Sequence, residues 1–570
     1  MTTFNSDAFL KQLTSTLDPH SVLTDADATS QYRHGFRSGG GDALCVIFPN
    51  NLVQLWRALQ VCVEADVIVI MQASNTGLTE GSTPSGNDYD RPIAIIKTSK
   101  LDQYLLIDDA QQVISFPGTT LFQLEDALKP LGKEPHSVIG SSCIGASVIG
   151  GIANNSGGAL IQRGPAYTEL SLYAQIDDQG ELHLVNHLGI DLGNEPEEML
   201  TNLQDKNFKT NTLTTQGKLA SDQEYKQRVR QIDEDTPARF NADKRRLFEA
   251  SGCAGKLAIF AVRSDTFDQP KRTKTFYLGV NDPAIFTHLR RDMLKDFKQL
   301  PVSAEYVHGT AFDIAHQYGK DNLLAIEKLG TSSMPRLFSL KNKIATYLDK
   351  QKWLPNHIPD KFMYYLGRLL PEHLPKSLLA MRKDFEHHLI IKMSGEGIDE
   401  LTQYLNAHFT DKKQGRYILC TDAEADKAML HRFVVAGAAM RYQQINESEV
   451  EAILPLDVAL KRNQENWVDD LPEEIAEAIL APVYYGHFFC HVFHRDYILK
   501  KGYSASKVKK QLLQLLEQQG AKYPAEHNVG HLYHAAEDQQ TFYKSIDPTN
   551  SMNPGIGKMS KLKHYGNCCH

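Results

Sequence analysis

The chain has 570 residues, of which 42% are hydrophobic and 23% charged, and its formal net charge at pH 7 is −8. This length exceeds what one hydrophobic core organises, so we expect two or three domains. The composition is typical of a soluble globular protein, and the negative charge argues against a nucleic-acid binder. The eight cysteines are scattered without a C-x-x-C pair, which favours a reducing compartment.

The N-terminus predicts a helix and no export signal, because MTTFNSDAFLKQLTSTLDPHS has no basic region followed by an apolar stretch. Residues 137–162 form an uncharged run long enough to span a bilayer. Fourteen of these 26 residues are Gly, Ser, Asn or Gln, so the run is too polar to insert as a helix. We therefore expect no transmembrane helix.

Residues 45–72 predict a strand, an amphipathic helix and a second strand. Asn50 or Asn51 stands where the helix needs a cap. Apolar residues of the helix recur at helical spacing, at Leu52, Leu55, Leu59 and Val63. Short strands, a helix from about Thr119–Thr120 and further strands over 169–196 continue this α/β pattern, and the first module is expected to cover about 1–265.

Two loops rich in Gly and Ser lie in this module. The loop 73–87 matches neither the Walker nor the Rossmann fingerprint, but its small residues let backbone N–H groups approach an anion, and its hydroxyls add donors. In the stretch 140–169, glycines are denser than turns require. The pair of loops suggests an extended ligand with a central pyrophosphate; two tight turns between strands are the alternative.

Histidines concentrate near the C-terminus. Two short segments contain, respectively, His487, His491 and His494, and Glu526, His527 and His531. A spacing of seven puts His487 and His494 on one face of a helix but on opposite faces of a regular strand; a bent strand or a bulge would also let them converge. Histidines with a carboxylate suit zinc or another divalent metal. The alternative is a set of solvated or hydrogen-bonded histidines.

Two further features concern anionic partners. Arg382 and Lys392 could hold the carboxylate of a hydroxy- or keto-acid, although either could equally be an exposed cation. The segment 336–383 has ten Lys or Arg against three acids and carries Trp353, Phe362, Tyr364 and Tyr365. This mixture fits contact with anionic lipid, with a solvated helical pair or a nucleic-acid surface as alternatives.

Taken together, these motifs resemble one family, the respiratory, quinone-linked D-lactate dehydrogenases, which are FAD flavoproteins of the vanillyl-alcohol-oxidase (PCMH) type. The likeness extends from near the N-terminus to NPGIGK. The most specific runs are 74–84, 140–158, 162–169, 251–260 and 523–533.

The resemblance implies an α+β fold in which a PCMH-type FAD-binding domain carries an α/β cap domain and a basic helical membrane-binding segment. The FAD-binding domain would be 1–265, completed by 518–570. The cap would be 266–310 with 385–517, and the membrane-binding region 311–384.

The resemblance also implies where FAD binds. The contacts would be made by Ala73, Ser74, Asn75, Thr76 and Gly77 at the pyrophosphate, Gly81 and Ser82 beside it, and Gly140, Ser147, Gly157 and the backbone of Ile259. Related enzymes that tether the flavin from the first loop use a His there. Residues 72–82 contain none, so FAD is expected to be non-covalent.

For catalysis, relatives carry H-x-G-D-G-N-x-H and E-H-G-x-G. This chain keeps the His spacing and the Glu-His pair, but FFCHVF replaces the first core and Asn528 the Gly after the pair. The resemblance implies a divalent metal on His487, His494 and Glu526. His527, neutral near pH 7, would be the base.

The implied reaction is oxidation of D-lactate to pyruvate by hydride transfer to flavin N5, with Arg382 and Lys392 on the substrate carboxylate. Electrons would pass to ubiquinone or menaquinone, and the protein would bind peripherally to an anionic membrane surface at the cytoplasmic face of the bacterial inner membrane.

Other functions remain open at this point. The same fold could oxidise another D-2-hydroxyacid, such as glycolate or D-2-hydroxyglutarate. The His/Glu cluster could instead be a hydrolytic zinc site, or the protein could bind nucleotide or membrane without turnover. Nucleic acid is not expected as a partner.

Overall fold

The computed structural model describes residues 4–136, 145–209, 213–330, 344 and 357–566. Within these ranges the strands are β1 (Val22–Leu23), β2 (Cys45–Ile47), β3 (Ile68–Gln72), β4 (Ile93–Lys97), β5 (Tyr104–Ile107), β6 (Gln112–Ser115), β7 (Lys133–Pro135), β8 (Ser171–Ile176), β9 (Leu182–Asn186), β10 (Ala258–Asp268), β11 (Thr273–Val280), β12 (Ser303–His308), β13 (His387–Ser394), β14 (Gly415–Leu419), β15 (Val450–Ala459), β16 (Ile479–His487) and β17 (Val492–Lys500).

The α-helices in the same ranges are α1 (Ser6–Thr16), α2 (Ala26–Arg33), α3 (Leu52–Glu64), α4 (Leu121–Leu128), α5 (Val148–Ala153), α6 (Pro196–Gln204), α7 (Tyr225–Arg228), α8 (Pro283–Asp296), α9 (Gly309–Tyr318), α10 (Lys320–Leu329), α11 (Ile358–Leu369), α12 (Lys376–Asp384), α13 (Gly397–His408), α14 (Asp422–Phe433), α15 (Val435–Ile445), α16 (Glu473–Ala476), α17 (Ala505–Gln518) and α18 (Glu537–Ile546). Among the described helices, none has both the length and the apolar character needed to cross a bilayer.

The first sheet is four-stranded and mixed, in the order β1-β2-β4-β3, with β4 parallel to both of its neighbours. Helix α3 connects β2 to β3. The side chain of Asn51 caps it by accepting a hydrogen bond from the N–H of Gln54 at 2.8 Å. The apolar face of α3 is buried, as its spacing predicts. The strand–helix–strand prediction for 45–72 is confirmed.

The C-terminal tail is built into this sheet. The N–H of Val69 donates to Ser551 O at 3.0 Å, and the N–H of Asn553 donates to Val69 O at 2.9 Å. Lys256 and Asp547, both buried, form an ion pair of 3.2 Å between the N-terminal part and the tail. These contacts support the expectation that 518–570 completes the N-terminal domain.

The second sheet is antiparallel, with the order β5-β6-β10-β8-β9 and β7 paired to one end of β10. Its apolar residues and those of the first sheet contribute to one core with α3 and α6. Helix α5 packs on the opposite side of β10, where a further apolar cluster lies. Its first turn is capped by Ser147, whose Oγ accepts from the N–H of Gly150 at 3.1 Å.

The third sheet has seven antiparallel strands in the order β14-β11-β13-β12-β16-β17-β15. Helices α8, α13 and α17 contribute to the apolar core on one face. The other face packs on α9, α14 and α15 over part of its area, and polar side chains occupy the rest. This sheet forms the core of the predicted cap.

Four described helices fall in or next to the predicted membrane-binding region: α9, α10, α11 and α12. Their buried apolar residues belong to the same core as this face of the cap sheet, among them Phe312 and Leu378. The boundary at 310 remains a prediction. Trp353 and most of the basic stretch before α11 lie outside the described residues.

Candidate active site between the two domains

A β-hairpin brings His487 and His494 together. His487 ends β16, a short 3-10 turn follows, and His494 lies on β17. Because Tyr485 pairs with His494 across the hairpin, the two histidines share one face of the sheet. Their ring centroids are 5.4 Å apart. The chain reverses at His491, which has a left-handed φ of 53°.

His487 lies between two buried carboxylates. Its Nδ1 is 2.6 Å from Glu305 Oε1, and its Nε2 is 3.1 Å from Glu526 Oε2. Burial alone would lower the pKa of His487, but the two carboxylates raise it to about 10. Glu305 is also paired with Arg432, whose Nε lies 2.8 Å away. The ring of His487 is therefore fixed on both sides.

Arg239 pairs with Glu526, and Gly157 leaves the space in which the Glu526 carboxylate lies. Arg239 donates to its Oε1 and, through the same Nη2, to the carbonyl oxygen of Gly158. Burial would raise the pKa of Glu526, but His487 and Arg239 hold it at about 2. A Cβ on Gly157 would lie 2.2 Å from Glu526 Oε1. The absent side chain at Gly157 thus lets the carboxylate approach the second Gly-rich stretch.

His527 is oriented by Asp457. Its Nδ1 lies 2.8 Å from Asp457 Oδ2, and the same oxygen accepts the backbone N–H of Glu526 at 2.6 Å. The side chain of His527 is 32% exposed, against 9% for His487. Burial lowers the pKa of His527, but the negative charge of Asp457 raises this pKa above its ordinary value. Asp457 therefore stabilises the protonated ring, and the expectation of a ring neutral near pH 7 remains a prediction.

His487, His494 and Glu526 have the geometry of a metal site. One ligand atom from each lies within 4.8 Å of the others, and two imidazoles with a carboxylate are a donor set that suits zinc and other divalent metals. His494 is also held by Asp457, whose Oδ1 is 3.3 Å from its Nδ1. The residues present fit the predicted metal, and its identity remains a prediction.

Two of the histidines grouped by the sequence stand apart from this cluster. The Nδ1 of His491 is 2.9 Å from the carbonyl oxygen of Lys461, and its ring packs on Phe488 and Phe493. It turns away because it forms the corner of the hairpin. His531 is buried beside Gly555. His491 therefore fits the alternative of a hydrogen-bonded histidine, and His531 is a buried ring outside the cluster.

The candidate substrate cations differ in placement. Lys392 pairs with Ser303 across β12 and β13, two residues from Glu305, so its side chain lies on the face that carries the cluster. No carboxylate among the described residues pairs with it. Arg382, by contrast, forms a two-pronged ion pair with Asp313, at 2.9 and 2.8 Å.

Arg37 is a cation that sequence reasoning missed. Burial raises the pKa of Asp496, and Asp457 raises that of His527 against the effect of burial; the charge of Arg37 reduces both rises. Arg37 is exposed and belongs to the N-terminal domain.

The first Gly-rich loop has the donors that a pyrophosphate needs. Within the described residues, the backbone N–H groups of 74–77 find no acceptor, and a Cβ on Gly77 would meet nothing within 4 Å. Two side-chain hydrogen bonds fix the conformation of the loop. Asn75 donates to His34 O at 2.9 Å, outside the loop, and Ser82 donates to Asn75 Oδ1 at 2.8 Å, within it. Lys97 donates to Ala73 O, and burial lowers its pKa to about 8. A dianionic ligand suits this loop.

The remaining predicted flavin contacts are on or near α5 and β10. Ser147 caps α5, and Gly157 follows that helix. Ile259 is buried at a β-bulge, where the register of β10 against β8 shifts. Gly81 lies beside Asn528 and Asn553. Gly140 lies outside the described residues.

Comparisons with known proteins agree with this geometry. Residues 43–184 match the family model described as an FAD binding domain. Among solved structures, p-cresol methylhydroxylase with substrate bound has a TM-score of 0.58 at 13% identity, over 97% of this chain and 96% of that one. For 4-ethylphenol oxidase from Gulosibacter chungangensis the TM-score is 0.58 at 10% identity, over 97% and 96%. The fold and the site define an FAD-dependent oxidoreductase of the PCMH type.

The family follows from closer relatives. Residues 275–565 match the model described as D-lactate dehydrogenase, membrane binding. The quinone-dependent D-lactate dehydrogenase of Escherichia coli (strain K12) is 55% identical over 565 residues, 99% of each chain. That of Haemophilus influenzae is 55% identical over 556 residues, 98% of this chain and 99% of its own. That of Corynebacterium glutamicum is 43% identical over 549 residues, 96% of each. The chain belongs to the quinone-dependent D-lactate dehydrogenases, as its motifs predicted.

Proposed function

We propose that the protein oxidises D-lactate to pyruvate at the cluster around His527 and passes the electrons to a membrane quinone. The observation that carries this is the partly exposed ring of His527, held by Asp457 beside the His487–Glu526 pair. When bound at the Gly-rich loops, FAD supplies the hydride acceptor. The two hydrogens leave lactate separately: the hydroxyl proton goes to His527, and the Cα hydrogen leaves as hydride.

His527 acts as the base through Nε2. Asp457 accepts a hydrogen bond from the Nδ1–H group of His527, which leaves the lone pair on Nε2. The same carboxylate stabilises the imidazolium once the proton has been taken. The backbone N–H of Glu526 fixes Asp457 in turn, so base and carboxylate form one rigid unit.

Lys392 and Arg37 bind the substrate carboxylate. Lys392 lies on the sheet face that carries the cluster, and the charge of Arg37 acts on His527, so a carboxylate held by both would lie beside that ring. Arg382 stays a candidate from the sequence, although its guanidinium is already paired with Asp313. Each of these cations can be replaced by Met. The variant that loses a cation in contact with the substrate carboxylate should show the largest rise in KM for D-lactate.

A divalent metal would be held by His487, His494 and Glu526, next to His527. When bound, it would supply Lewis acidity towards the substrate hydroxyl and a positive charge that offsets the buried carboxylates. Glu305 and Asp457 support this site, because each holds one of the two histidines by its Nδ1.

Membrane contact involves helix α11. Four apolar side chains recur at i, i+3, i+4 and i+7 on its outer face, at exposures of 63%, 59%, 40% and 83% for Phe362, Tyr365, Leu366 and Leu369. The opposite face buries Asp360, Tyr364 and Gly367 against the cap. An apolar stripe on a helix beside a basic segment fits an anionic bilayer surface. We place the protein peripherally on the cytoplasmic face of the inner membrane.

The test is anaerobic mixing of the flavin-loaded protein with D-lactate and, separately, with L-lactate. D-lactate should bleach the flavin absorbance, and a ubiquinone or menaquinone analogue should restore it. An unchanged spectrum with D-lactate would overturn the proposal. The same absorbance measurement with glycolate and D-2-hydroxyglutarate shows whether the protein prefers one of these acids to D-lactate. A hydrolytic zinc site has no use for the FAD cradle and is not favoured.

A further inference from the structure

A second cluster of metal-binding side chains lies on the cap, apart from the active site. His316 is near the end of α9, and Glu372 and His373 lie in the turn between α11 and α12. One ligand atom from each of the three residues lies within 4.8 Å of the others. The family comparisons and the reaction proposed above make no use of these residues.

Two of the three distances between ligand atoms are close to those of a tetrahedral site. His316 Nε2 lies 3.1 Å and His373 Nδ1 lies 3.3 Å from the same oxygen, Glu372 Oε1. Zinc bonds to imidazole and carboxylate of about 2.0–2.2 Å give a tetrahedron with edges of about 3.3 Å between ligand atoms. A small movement of the exposed Glu372 side chain would therefore admit a cation.

His373 gives an independent indication of a ligand. Its side chain is 1% exposed, yet neither ring nitrogen has a hydrogen-bond partner of good geometry among the described residues. An unsatisfied buried polar group is costly, so such groups normally have a partner. The ring stacks on that of His316, with centroids 5.2 Å apart. A metal bound at Nδ1 would satisfy it.

The carboxylate is already oriented for this role. Glu372 Oε1 accepts the backbone N–H groups of His373 and Leu374, at 2.7 and 2.9 Å. Such bonds orient a ligating carboxylate. The charges of Lys320 and Lys427 act on His373 and oppose a cation, but each lysine has an acceptor of its own: Lys320 donates to Leu370 O and Lys427 to Glu327.

We propose that His316, Glu372 and His373 bind a zinc-class divalent cation, with water as the fourth ligand. Two imidazoles, one carboxylate and an open position favour zinc over calcium or magnesium, which prefer oxygen ligands. The cation would tie α9, which packs on the cap sheet, to the turn that follows α11. This inference does not depend on the proposed reaction.

The test locates zinc directly. Crystals of the flavin-loaded protein, grown with zinc chloride, are measured on both sides of the zinc absorption edge. The account predicts an anomalous peak between the three side chains that is lost in His373→Ala and Glu372→Gln. Zinc at His487, His494 and Glu526 would give a separate peak, so the two sites are distinguished in one map. An anomalous map without a peak at His316 would overturn the proposal.

Solution binding gives a second reading. Zinc titrations followed by metal analysis should show one equivalent fewer in Glu372→Gln, with affinity at this site reduced about 100-fold. His183→Ala is the matched control. It removes an exposed histidine that is paired with Asp177 but belongs to neither of the two metal-binding groups found among the described residues. Both variants should retain the flavin spectrum and D-lactate oxidation. Equal zinc content in Glu372→Gln and the parent protein would contradict the site.

Discussion

Asp457 and His527 are separated by 70 residues, yet Asp457 Oδ2 lies 2.8 Å from Nδ1 of the His527 ring. The strand that carries Asp457 belongs to the third sheet, whereas His527 lies in the C-terminal segment that follows α17. The pair therefore ties that segment to the third sheet at the candidate active site. It also decides which ring nitrogen can accept a proton.

Asp457→Asn should slow reduction of the flavin by D-lactate about 100-fold, because a neutral amide cannot stabilise the imidazolium that forms. Anaerobic stopped-flow absorbance measures the rate. Asp292→Asn is the control, since Asp292 accepts a hydrogen bond from Tyr404 elsewhere in the cap. A rate in Asp457→Asn equal to that of the control would remove Asp457 from the mechanism.

Gly77→Ala should weaken FAD binding at least about tenfold while leaving the apoprotein as stable as before. Its Cβ meets nothing within 4 Å, so the methyl group strains no protein contact but occupies the cradle of N–H donors. Titration of apoprotein with FAD measures the affinity. Gly367→Ala is the matched control. A Cβ on Gly367 also meets nothing within 4 Å, and Gly367 lies in α11, far along the chain from the first Gly-rich loop. Equal affinities would place the pyrophosphate elsewhere.

Phe362→Ser combined with Leu369→Ser should reduce binding to anionic vesicles at least about tenfold, because each side chain contributes roughly 1.5–3 kcal/mol when it leaves water. Vesicle flotation measures binding, and reduction of a soluble dye by D-lactate should be unchanged. Leu131→Ser with Leu419→Ser removes two other exposed leucines, 54% and 51% exposed, as the control. Equal losses in both pairs would argue against a specific surface on α11.

The basic stretch before α11 predicts an electrostatic contribution as well. Neutralising Lys341, Lys343, Lys350 and Lys352, which lie outside the described residues, should weaken vesicle binding by about 1 kcal/mol per lysine and reduce its salt dependence. Flotation at low and high salt separates this effect from that of the apolar face. Salt-independent binding in the parent protein would contradict an anionic lipid partner.

His388→Phe should make the protein less sensitive to acid. His388 is fully buried between Tyr277 and Phe312, and burial lowers its pKa to about 3. The unfolded chain binds a proton near pH 6.5, so the folded state loses stability as the pH falls from about 6.5 towards the folded pKa, by about 1.4 kcal/mol at pH 5.5. Phenylalanine removes this loss.

Unfolding by denaturant at pH 8 and pH 5.5 measures the effect of His388→Phe. The difference in unfolding free energy between the two pH values should shrink by about 1.4 kcal/mol relative to the parent. An unaltered pH dependence in His388→Phe would show that the buried ring does not titrate on unfolding.

Local features were predictable from the sequence. The helix at 52–64 and its cap depend on neighbouring residues, and the Gly-rich loops are recognised by their composition. The hairpin that joins His487 to His494 was harder to foresee. Its corner is His491 in a left-handed conformation, where no Gly or Asn signals a turn.

The partners of the candidate site residues were missed because they are distant in sequence. Glu305 is 182 residues from His487, and Arg239 is 287 residues from Glu526. No spacing rule links such pairs; the pairing of β12 with β16 and the return of the tail bring them together. A carboxylate between apolar residues, as in SAEYVH, was the available signal for Glu305.

The central claim is that His527 takes the hydroxyl proton of D-lactate, and the most direct measurement is the rate of flavin reduction in His527→Ala. Stopped-flow mixing under anaerobic conditions should show a rate at least about 100-fold below that of the parent, with the flavin spectrum before mixing unchanged. A near-parental rate in a fully flavin-loaded variant would contradict the account.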